Sequence, residues 1–225
     1  CSPREAQTIH QGGESMSEKV RAAKIVAALE ALYPEAVCSL TYDEPWKLLF
    51  SARLAAQCTD KRVNEVAKTL YLKYPTLQAM ADADLSELEE TIRSTGLFRT
   101  KARDLKACAA MLLERFDGQV PDQMDELLTL PGVGRKIANL VLGDIYGKPA
   151  VVTDTHCIRL ANRMGFCETR DPLKVERALA ALIEPGKQND FCHRLVLFGR
   201  DVCTARSPHC ETCVLAAEGL CPKRL

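Results

Sequence analysis

The sequence predicts an all-α protein, and three observations support that prediction. Apolar residues recur at helical intervals from Ser17 onward, and prolines and glycines divide the pattern into segments of helical length. The longest run that could suit a strand is Ala150-Val151-Val152-Thr153. With 225 residues, of which 47% are hydrophobic, the chain can form one large domain or two small ones. The helix count and the cysteines after the last helix favour two lobes, with the active residues near their junction.

The periodicity places the helices in order along the chain. The first contains Val20, Ile25, Val26, Leu29 and Leu32, and the second contains Leu48, Leu49, Ala52, Ala55 and Ala56. Further helices are predicted over residues 60–73, 84–93, 98–116, 123–129, 135–146, 155–164, 172–183 and 190–202. The breakers between them are Pro34, Pro45, Pro75, Gly96, Gly118, Pro121, Pro131, Gly132, Gly147, Pro149, Pro172, Pro185 and Gly186. Residues 1–15 are polar and have no periodicity, and Met16 could be the natural start, so we expect residues 1–16 to be a disordered extension.

The charge balance excludes a protein that is basic as a whole. Lys+Arg and Asp+Glu are both 30, so any binding of a nucleic acid must depend on local charge. Residues 131–148 and 187–225 are both locally basic. No segment approaches the roughly 20 apolar residues of a membrane span, and the start of the chain lacks a signal-like segment. We therefore expect a cytoplasmic protein that does not enter a membrane, near the nucleoid if it is bacterial.

A glycine-rich turn between two predicted helices is a candidate anion site. It reads Leu130-Pro131-Gly132-Val133-Gly134-Arg135-Lys136. The glycines let backbone N–H groups approach a phosphate, and a helix that begins near Gly134 adds the positive end of its dipole. An ordinary corner between two helices uses the same residue types, so this string alone leaves both interpretations open.

Two residues near this turn can carry covalent chemistry. A lysine that loses its proton is a nucleophile, and positive charge from Arg135 and from a helix N-terminus favours that loss for Lys136. Most lysines are simply solvated, and Lys136 could instead contact a phosphate. Asp154 precedes a predicted helix, so it can cap that helix and also stabilise positive charge at a reacting carbon. His156 could complete the first turn or contact a phosphate.

Four cysteines near the C-terminus have the spacing of metal ligands. Cys203, Cys210, Cys213 and Cys221 are compatible with a tetrahedral zinc or with a [4Fe–4S] cluster, because both take four thiolates. Spacing alone favours zinc slightly. Two disulfides fit a cytoplasmic chain less well. The other seven cysteines lie in apolar surroundings and are interpreted as small core residues: Cys1, Cys38, Cys58, Cys108, Cys157, Cys167 and Cys192.

Several motifs in one order carry a family resemblance. They are Ala56-Gln57-Cys58-Thr59-Asp60, Thr95-Gly96-Leu97, the string Leu130–Lys136, Asp154-Thr155-His156 and the four terminal cysteines. On these motifs the chain resembles the endonuclease III family of helix-hairpin-helix DNA glycosylases, over roughly residues 17–221. The last cysteine gap, Val214 to Leu220, is longer than that family usually has, which we expect a surface loop to absorb.

The resemblance implies a fold, a cofactor and a set of site residues. The implied fold has a six-helix domain over residues 38–149, with the hairpin, and an iron–sulfur domain over residues 17–37 and 150–225, with DNA in the cleft between them. Lys136 is implied to form a Schiff base, Asp154 to assist it, and the four cysteines to hold a structural [4Fe–4S] cluster. The implied DNA contacts are Gln57, Leu97, Gly132, Gly134, Arg135, His156 and Arg206. Gln57 and Leu97 would fill the space that a flipped-out base leaves, whereas Asp60 is expected to cap the next helix.

The predicted function is therefore a bifunctional DNA glycosylase and abasic-site lyase for oxidised or damaged pyrimidines. Its partner would be double-stranded DNA that contains such lesions or abasic sites, bound by a monomer. One alternative is a monofunctional mismatch glycosylase of the same fold, which Lys136 argues against. A second alternative is a non-enzymatic metal-cluster module that docks on DNA.

Overall fold

The computed structural model describes residues 16–222, and every regular element in that range is helical. The α-helices are α1 (Glu18–Leu32), α2 (Pro45–Leu54), α3 (Asp60–Lys73), α4 (Leu77–Ala81), α5 (Leu85–Ile92), α6 (Phe98–Phe116), α7 (Met124–Leu127), α8 (Arg135–Asp144), α9 (Thr155–Arg163), α10 (Pro172–Leu182), α11 (Gln188–Asp201) and α12 (Val214–Ala217). Short 3-10 turns span Arg93–Thr95 and Pro185–Lys187. The predicted all-α class is thus confirmed for this range, whereas the extension over residues 1–15 lies outside it.

Most helix positions follow the prediction, and the differences have local causes. The bounds of α3 and α6 are those predicted, whereas α2 already ends at Leu54. Pro45 and Pro172 are the first residues of α2 and α10, where proline's missing N–H costs nothing, so they mark helix starts, as the predicted helix over 172–183 has it. The helices α4 and α12 were not predicted, because four or five residues are too few to show a period.

The helices pack in two groups that share one core. The helix α1 packs against α10, α11 and α12, which belong to the other end of the chain. The helix α6 packs against α2, α4 and α5, and the groups meet where α8 contacts both α2 and α11. Buried apolar residues form one connected cluster through both groups. The division into domains 17–37 plus 150–225 and 38–149 agrees with this packing but stays a prediction.

Side-chain caps begin six of the helices and leave others open. The capping residues are Ser17, Thr59, Thr76, Asp84, Asp154 and Asp171. The helices α6 and α8 begin without a side-chain cap, after Leu97 and Gly134. Their first N–H groups therefore have no acceptor from a capping side chain. Within residues 16–222, no helix has the length and apolar character that crossing a membrane requires.

Candidate active site and cysteine cluster

Glycine is present at the two hairpin positions for different structural reasons. Gly132 has a φ of +74°, and a Cβ there would lie 2.8 Å from both Arg53 Nε and Asp104 Oδ2. These two groups form an ion pair beneath the turn, with Nε donating to Oδ2 at 2.7 Å. Gly134 has an extended backbone with open space around it. Packing therefore requires a glycine at 132, whereas at 134 the absence of a side chain leaves room for a ligand.

The N-terminus of α8 is the candidate phosphate site. It begins at Arg135, with Gly134 as its N-cap and no side chain bonded to the first-turn N–H groups. Such groups carry the positive end of the helix dipole and are well suited to an anion. The predicted start of the second hairpin helix near Gly134 is confirmed.

The side chain of Arg135 points to a partner that the sequence did not indicate. Its guanidinium donates to both carboxylate oxygens of Glu176 on α10, at 2.7 and 2.6 Å. Asn139 donates to the same carboxylate at 3.0 Å, and Glu176 is buried. The hydrogen bond to Glu176 raises the pKa of Arg135. Glu176 therefore balances the charge of Arg135, and the contribution of Arg135 to the positive potential at Lys136 stays a prediction.

Lys136 and Asp154 line one cavity, although they lie on different helices. The cavity has a volume of ≈ 100 Å³ and lies between α2, α8 and α11. In the described part of the chain, no hydrogen bond or ion pair holds the Lys136 amine. Asp154 Oδ1 accepts a hydrogen bond from the Cys157 N–H at 2.7 Å, so its predicted role as a helix cap is confirmed. The cap fixes the carboxylate at the wall of the cavity. A wider groove along α9 contains neither residue.

The same cavity contains residues that sequence reasoning missed. His193 lines it and bonds Asp144 through Nε2 at 2.9 Å, with both side chains only 10% exposed. Arg200 also lines it and pairs with Asp60 at 3.3 Å. A single histidine or arginine on a helix carries no signal of such a pair.

Asp60 does not have the role expected from the sequence. The helix α3 is capped by Thr59, whose hydroxyl accepts from the Arg62 N–H at 3.3 Å. Asp60 is instead the first residue of α3, and its carboxylate bonds Ser39 and Arg200 at the cavity. The prediction of a cap was therefore wrong by one residue.

Gln57 and Leu97 share an uncommon backbone conformation. Their φ angles are +55° and +48°, and in residues 16–222 the only other non-glycine residue with positive φ is Asp117. Both side chains are exposed, Leu97 to 55%. Such strain persists only where the surroundings impose it, and it concentrates at functional sites. The two loops thus present these side chains outward, as an inserting residue requires.

His156 lies against α11, and Arg206 lies in the cysteine loop. Arg159 Nη2 is 3.2 Å from His156 Nδ1, and since a guanidinium only donates, that nitrogen accepts. Burial lowers the pKa of His156, which also favours the neutral ring. A neutral ring can still donate through Nε2, so contact with a phosphate stays a prediction. Arg206 is exposed between the first two cysteine ligands.

The four predicted ligand cysteines meet at one apolar cavity. Cys203, Cys210, Cys213 and Cys221 all line it, together with apolar residues that include Met164, Phe198 and Leu215. Arg163 Nη1 lies 3.4 Å from Cys203 Sγ, and the same side chain donates to Thr204 O at 2.7 Å and to Ala205 O at 2.9 Å. One arginine therefore holds the loop between the first two ligands and offers a donor to sulfur.

The donor set at this cavity suits an iron–sulfur cluster. Four cysteine thiolates are the usual ligands of a [4Fe–4S] cluster, and all four cysteines line the cavity. The Arg163 guanidinium beside Cys203 Sγ supplies positive charge next to such an anionic group.

The long gap before Cys221 contains a short helix and not only a loop. The helix α12 fills Val214–Ala217, and Gly219, with a φ of +66°, turns the chain back. The Cys221 N–H then donates to Leu215 O at 3.1 Å. This turn brings Cys221 back to the cavity, so the expected surface loop was wrong in form, although the gap is absorbed.

Comparisons with known proteins agree with this geometry. The family model for HhH-GPD superfamily base excision DNA repair proteins matches residues 50–185, and the iron-sulfur binding domain of endonuclease III matches residues 203–218. Endonuclease III of Synechocystis sp. is 47% identical over 207 residues, 92% of this chain and 94% of that protein. A non-covalent endonuclease III–DNA complex and a trapped covalent endonuclease III–DNA intermediate each superpose with a TM-score of 0.86 at 41% identity, covering 92% of this chain and 97% of theirs.

Proposed function

Because this chain belongs to the endonuclease III family of the HhH-GPD superfamily, we propose that Lys136 and Asp154 carry out its chemistry. Family membership makes the chain a DNA glycosylase and abasic-site lyase of base excision repair, which binds DNA and carries a [4Fe–4S] cluster. The alternatives of a mismatch glycosylase and a non-enzymatic module are not favoured. The assignment of roles to residues is our proposal.

One observation carries the proposal. An amine with no partner among the described residues and a carboxylate fixed by a helix cap line the same cavity, one from the first turn of α8 and the other from the N-cap of α9. Lys136 lies in the first turn of α8, whose N-terminus is the proposed phosphate site. A phosphate bound there would bring the adjacent sugar close to the amine.

The proposed reaction begins with the amine. Lys136 Nζ forms a bond to C1′ of the extruded nucleotide while the C1′–N glycosidic bond breaks, and the base leaves with the electron pair and takes up a proton. Asp154 stabilises the positive charge at C1′ and accepts the proton that the amine loses. The C1′–O4′ bond then opens, its electron pair goes to O4′, O4′ takes up the proton that Asp154 had accepted, and a protonated Schiff base results.

The lyase step follows from that imine. The imine acidifies C2′, so a base removes a C2′ proton and the 3′ phosphate leaves with its electron pair. Water then releases the unsaturated aldehyde and regenerates Lys136. Water alone could remove the base but could not form the imine, and this difference separates the lyase from a monofunctional glycosylase.

The contacts to DNA are proposed from the same geometry. The N–H groups after Gly134 would bind one phosphate, and Gln57 and Leu97 would fill the space left in the duplex. The side chain of Arg135 is committed to Glu176, so we propose that residue 135 contributes its backbone to the phosphate. His156 and Arg206 remain proposed contacts.

The cysteine cavity would hold the cluster through Cys203, Cys210, Cys213 and Cys221. When bound, the cluster supplies a rigid crosslink between the end of α11 and the chain after α12, and the proposed chemistry requires no electron transfer. Oxidised or damaged pyrimidines and abasic sites in duplex DNA are the proposed substrates. A monomer in the cytoplasm, at the nucleoid of a bacterial cell, is the proposed working form.

Borohydride trapping tests the proposal. Reduction of the Schiff base should link the protein covalently to DNA that contains an abasic site, and Lys136→Gln should abolish the adduct while it retains binding. The matched control is Lys24→Gln on α1, an exposed lysine that does not line the cavity. An adduct of normal yield in Lys136→Gln would refute the assignment, and no adduct with the unaltered protein would refute the lyase.

A further inference from the structure

A buried lysine outside the catalytic cavity joins two functional loops. Lys101 on α6 is 0% exposed, and its Nζ donates to Leu54 O at 2.8 Å and to Thr95 O at 2.7 Å. In the part of the chain that the structure describes, no carboxylate pairs with this ammonium. Lysine is rarely buried without a paired charge, so the position requires a physical reason.

The two acceptors explain how the charge is tolerated. Leu54 is the last residue of α2, and Thr95 is the last residue of a 3-10 turn. Carbonyls at such ends have no partner inside the helix and lie at the negative end of its dipole. Burial lowers the pKa of Lys101. The hydrogen bonds to the two carbonyls replace part of the hydration that the buried nitrogen loses.

Each acceptor immediately precedes a loop with a strained residue. Gln57 lies three residues after Leu54, and Leu97 lies two residues after Thr95. Both have positive φ, a conformation that is strained for a non-glycine residue. The backbone just before each strained residue is thus anchored at the same nitrogen. The two loops cannot shift independently without breaking one of the bonds to Lys101.

We infer that Lys101 is a positioning residue that couples the two loops, so that Gln57 and Leu97 enter the duplex together when a base is extruded. This inference rests on the proposed function of these loops. It assigns Lys101 no contact with DNA or with the reacting atoms. Its contribution is to the base-extrusion step and not to the attack of Lys136 on an exposed sugar.

The test compares two substrates for Lys101→Met, which keeps the length of the side chain and removes both donors. Excision of a damaged pyrimidine from duplex DNA requires extrusion, whereas borohydride trapping on a single-stranded abasic oligonucleotide does not. We expect single-turnover excision to fall on the order of 100-fold, the effect of misplacing a group by about 1 Å. Trapping on the single strand should stay within about twofold of the unaltered protein.

A double variant separates positioning from general destabilisation. If Lys101 acts through Leu97, then Lys101→Met combined with Leu97→Ala should lose less than the product of the two single losses. The control is Leu105→Ala, a core change on the same helix at a side chain that is 1% exposed. It should lower the melting temperature and should change duplex excision and single-strand trapping by the same factor.

Several outcomes would overturn the inference. Equal losses on both substrates, a multiplicative double variant, or a Leu105→Ala protein with the same substrate pattern would each leave Lys101 as a core residue only. If Lys101→Met does not fold, Lys101→Arg keeps the charge and displaces the donors, and normal duplex excision in that variant would count against the coupling.

Failure of the proposed function is distinguishable from failure of this inference. If the unaltered protein is not trapped on abasic DNA, the proposed function fails by itself. Hydrogen exchange then still tests the coupling. In Lys101→Met the amides of residues 55–59 and those of residues 93–97 should both exchange faster than in the unaltered protein. Faster exchange in only one of these loops would refute it.

Discussion

The catalytic cavity and the cysteine cluster are specified in opposite ways. The four proposed ligand cysteines lie within residues 203–221, and local turns and one short helix bring them together. The cavity collects residues from Cys38 to Arg200, and partners on other helices hold two of its side chains, His193 through Asp144 and Arg200 through Asp60. The cluster is thus a local feature of the sequence, whereas the cavity exists only after the helices have packed.

Loss of one cluster ligand should have the largest effect and should test how separate the two regions are. We expect Cys213→Ser to lose its iron and to melt roughly 10 °C lower, a shift that about 4 kcal/mol produces in a domain of this size. Iron content and thermal unfolding measure this. Cys167→Ser, at a half-buried cysteine outside the cluster cavity, is the control and should keep its iron.

The same variant tests whether the catalytic cavity depends on the cluster. Since the cavity takes none of its residues from the cysteine loop, trapping on abasic DNA should persist below the melting temperature of Cys213→Ser. Loss of trapping in a protein that is still helical would show that the two regions are one unit.

Removal of the cavity carboxylate should have the next largest effect. In Asp154→Asn the amide can still cap α9, so we expect a stability loss of about 1 kcal/mol or less. Turnover should fall on the order of 1000-fold, because proton transfer and charge stabilisation at C1′ are lost. Single-turnover excision and chemical denaturation separate the two quantities. Turnover equal to that of the unaltered protein would remove Asp154 from the mechanism.

Substitution of the two hairpin glycines should give the smallest effects, one on stability and the other on DNA binding. Gly132→Ala should cost about 2 kcal/mol, because its Cβ would meet the Arg53–Asp104 ion pair and its φ is positive. Gly134→Ala should leave stability within about 0.5 kcal/mol and should weaken DNA binding, because the methyl group occupies open space at the phosphate site. Denaturation and binding titrations check both. If the Gly134→Ala protein bound DNA normally, the N-terminus of α8 would not be the phosphate site.

The sequence predicted most helices because their signals are local. The bounds of α3 and α6 followed from a helical period over 14 and 19 residues. Val20 and Leu32 fit the helical period of α1, yet their exposed fractions are 49% and 46%. Periodicity does not show how much of the length of α1 the neighbouring helices cover. The sequence singled out the four cysteines that line one cavity because their spacing is itself the signal.

The remaining site residues could not be predicted for a physical reason. Glu176, His193 and Asp144 acquire their roles only through partners on other helices. Lys101 was missed because a lysine is ordinarily solvated, and only the packed structure shows two helix ends that meet at its amine. Such roles belong to pairs of residues, and one residue of a pair does not identify the other.

The ion pair of Arg135 with Glu176 affects how DNA binding responds to salt. A charge that is already compensated displaces few condensed cations when the polymer arrives, so this residue contributes little to the salt dependence of affinity. The chain as a whole is also electrically neutral. Residue 135 should therefore add little to the slope of affinity against salt concentration, and that slope should report the phosphate contacts of the other basic residues.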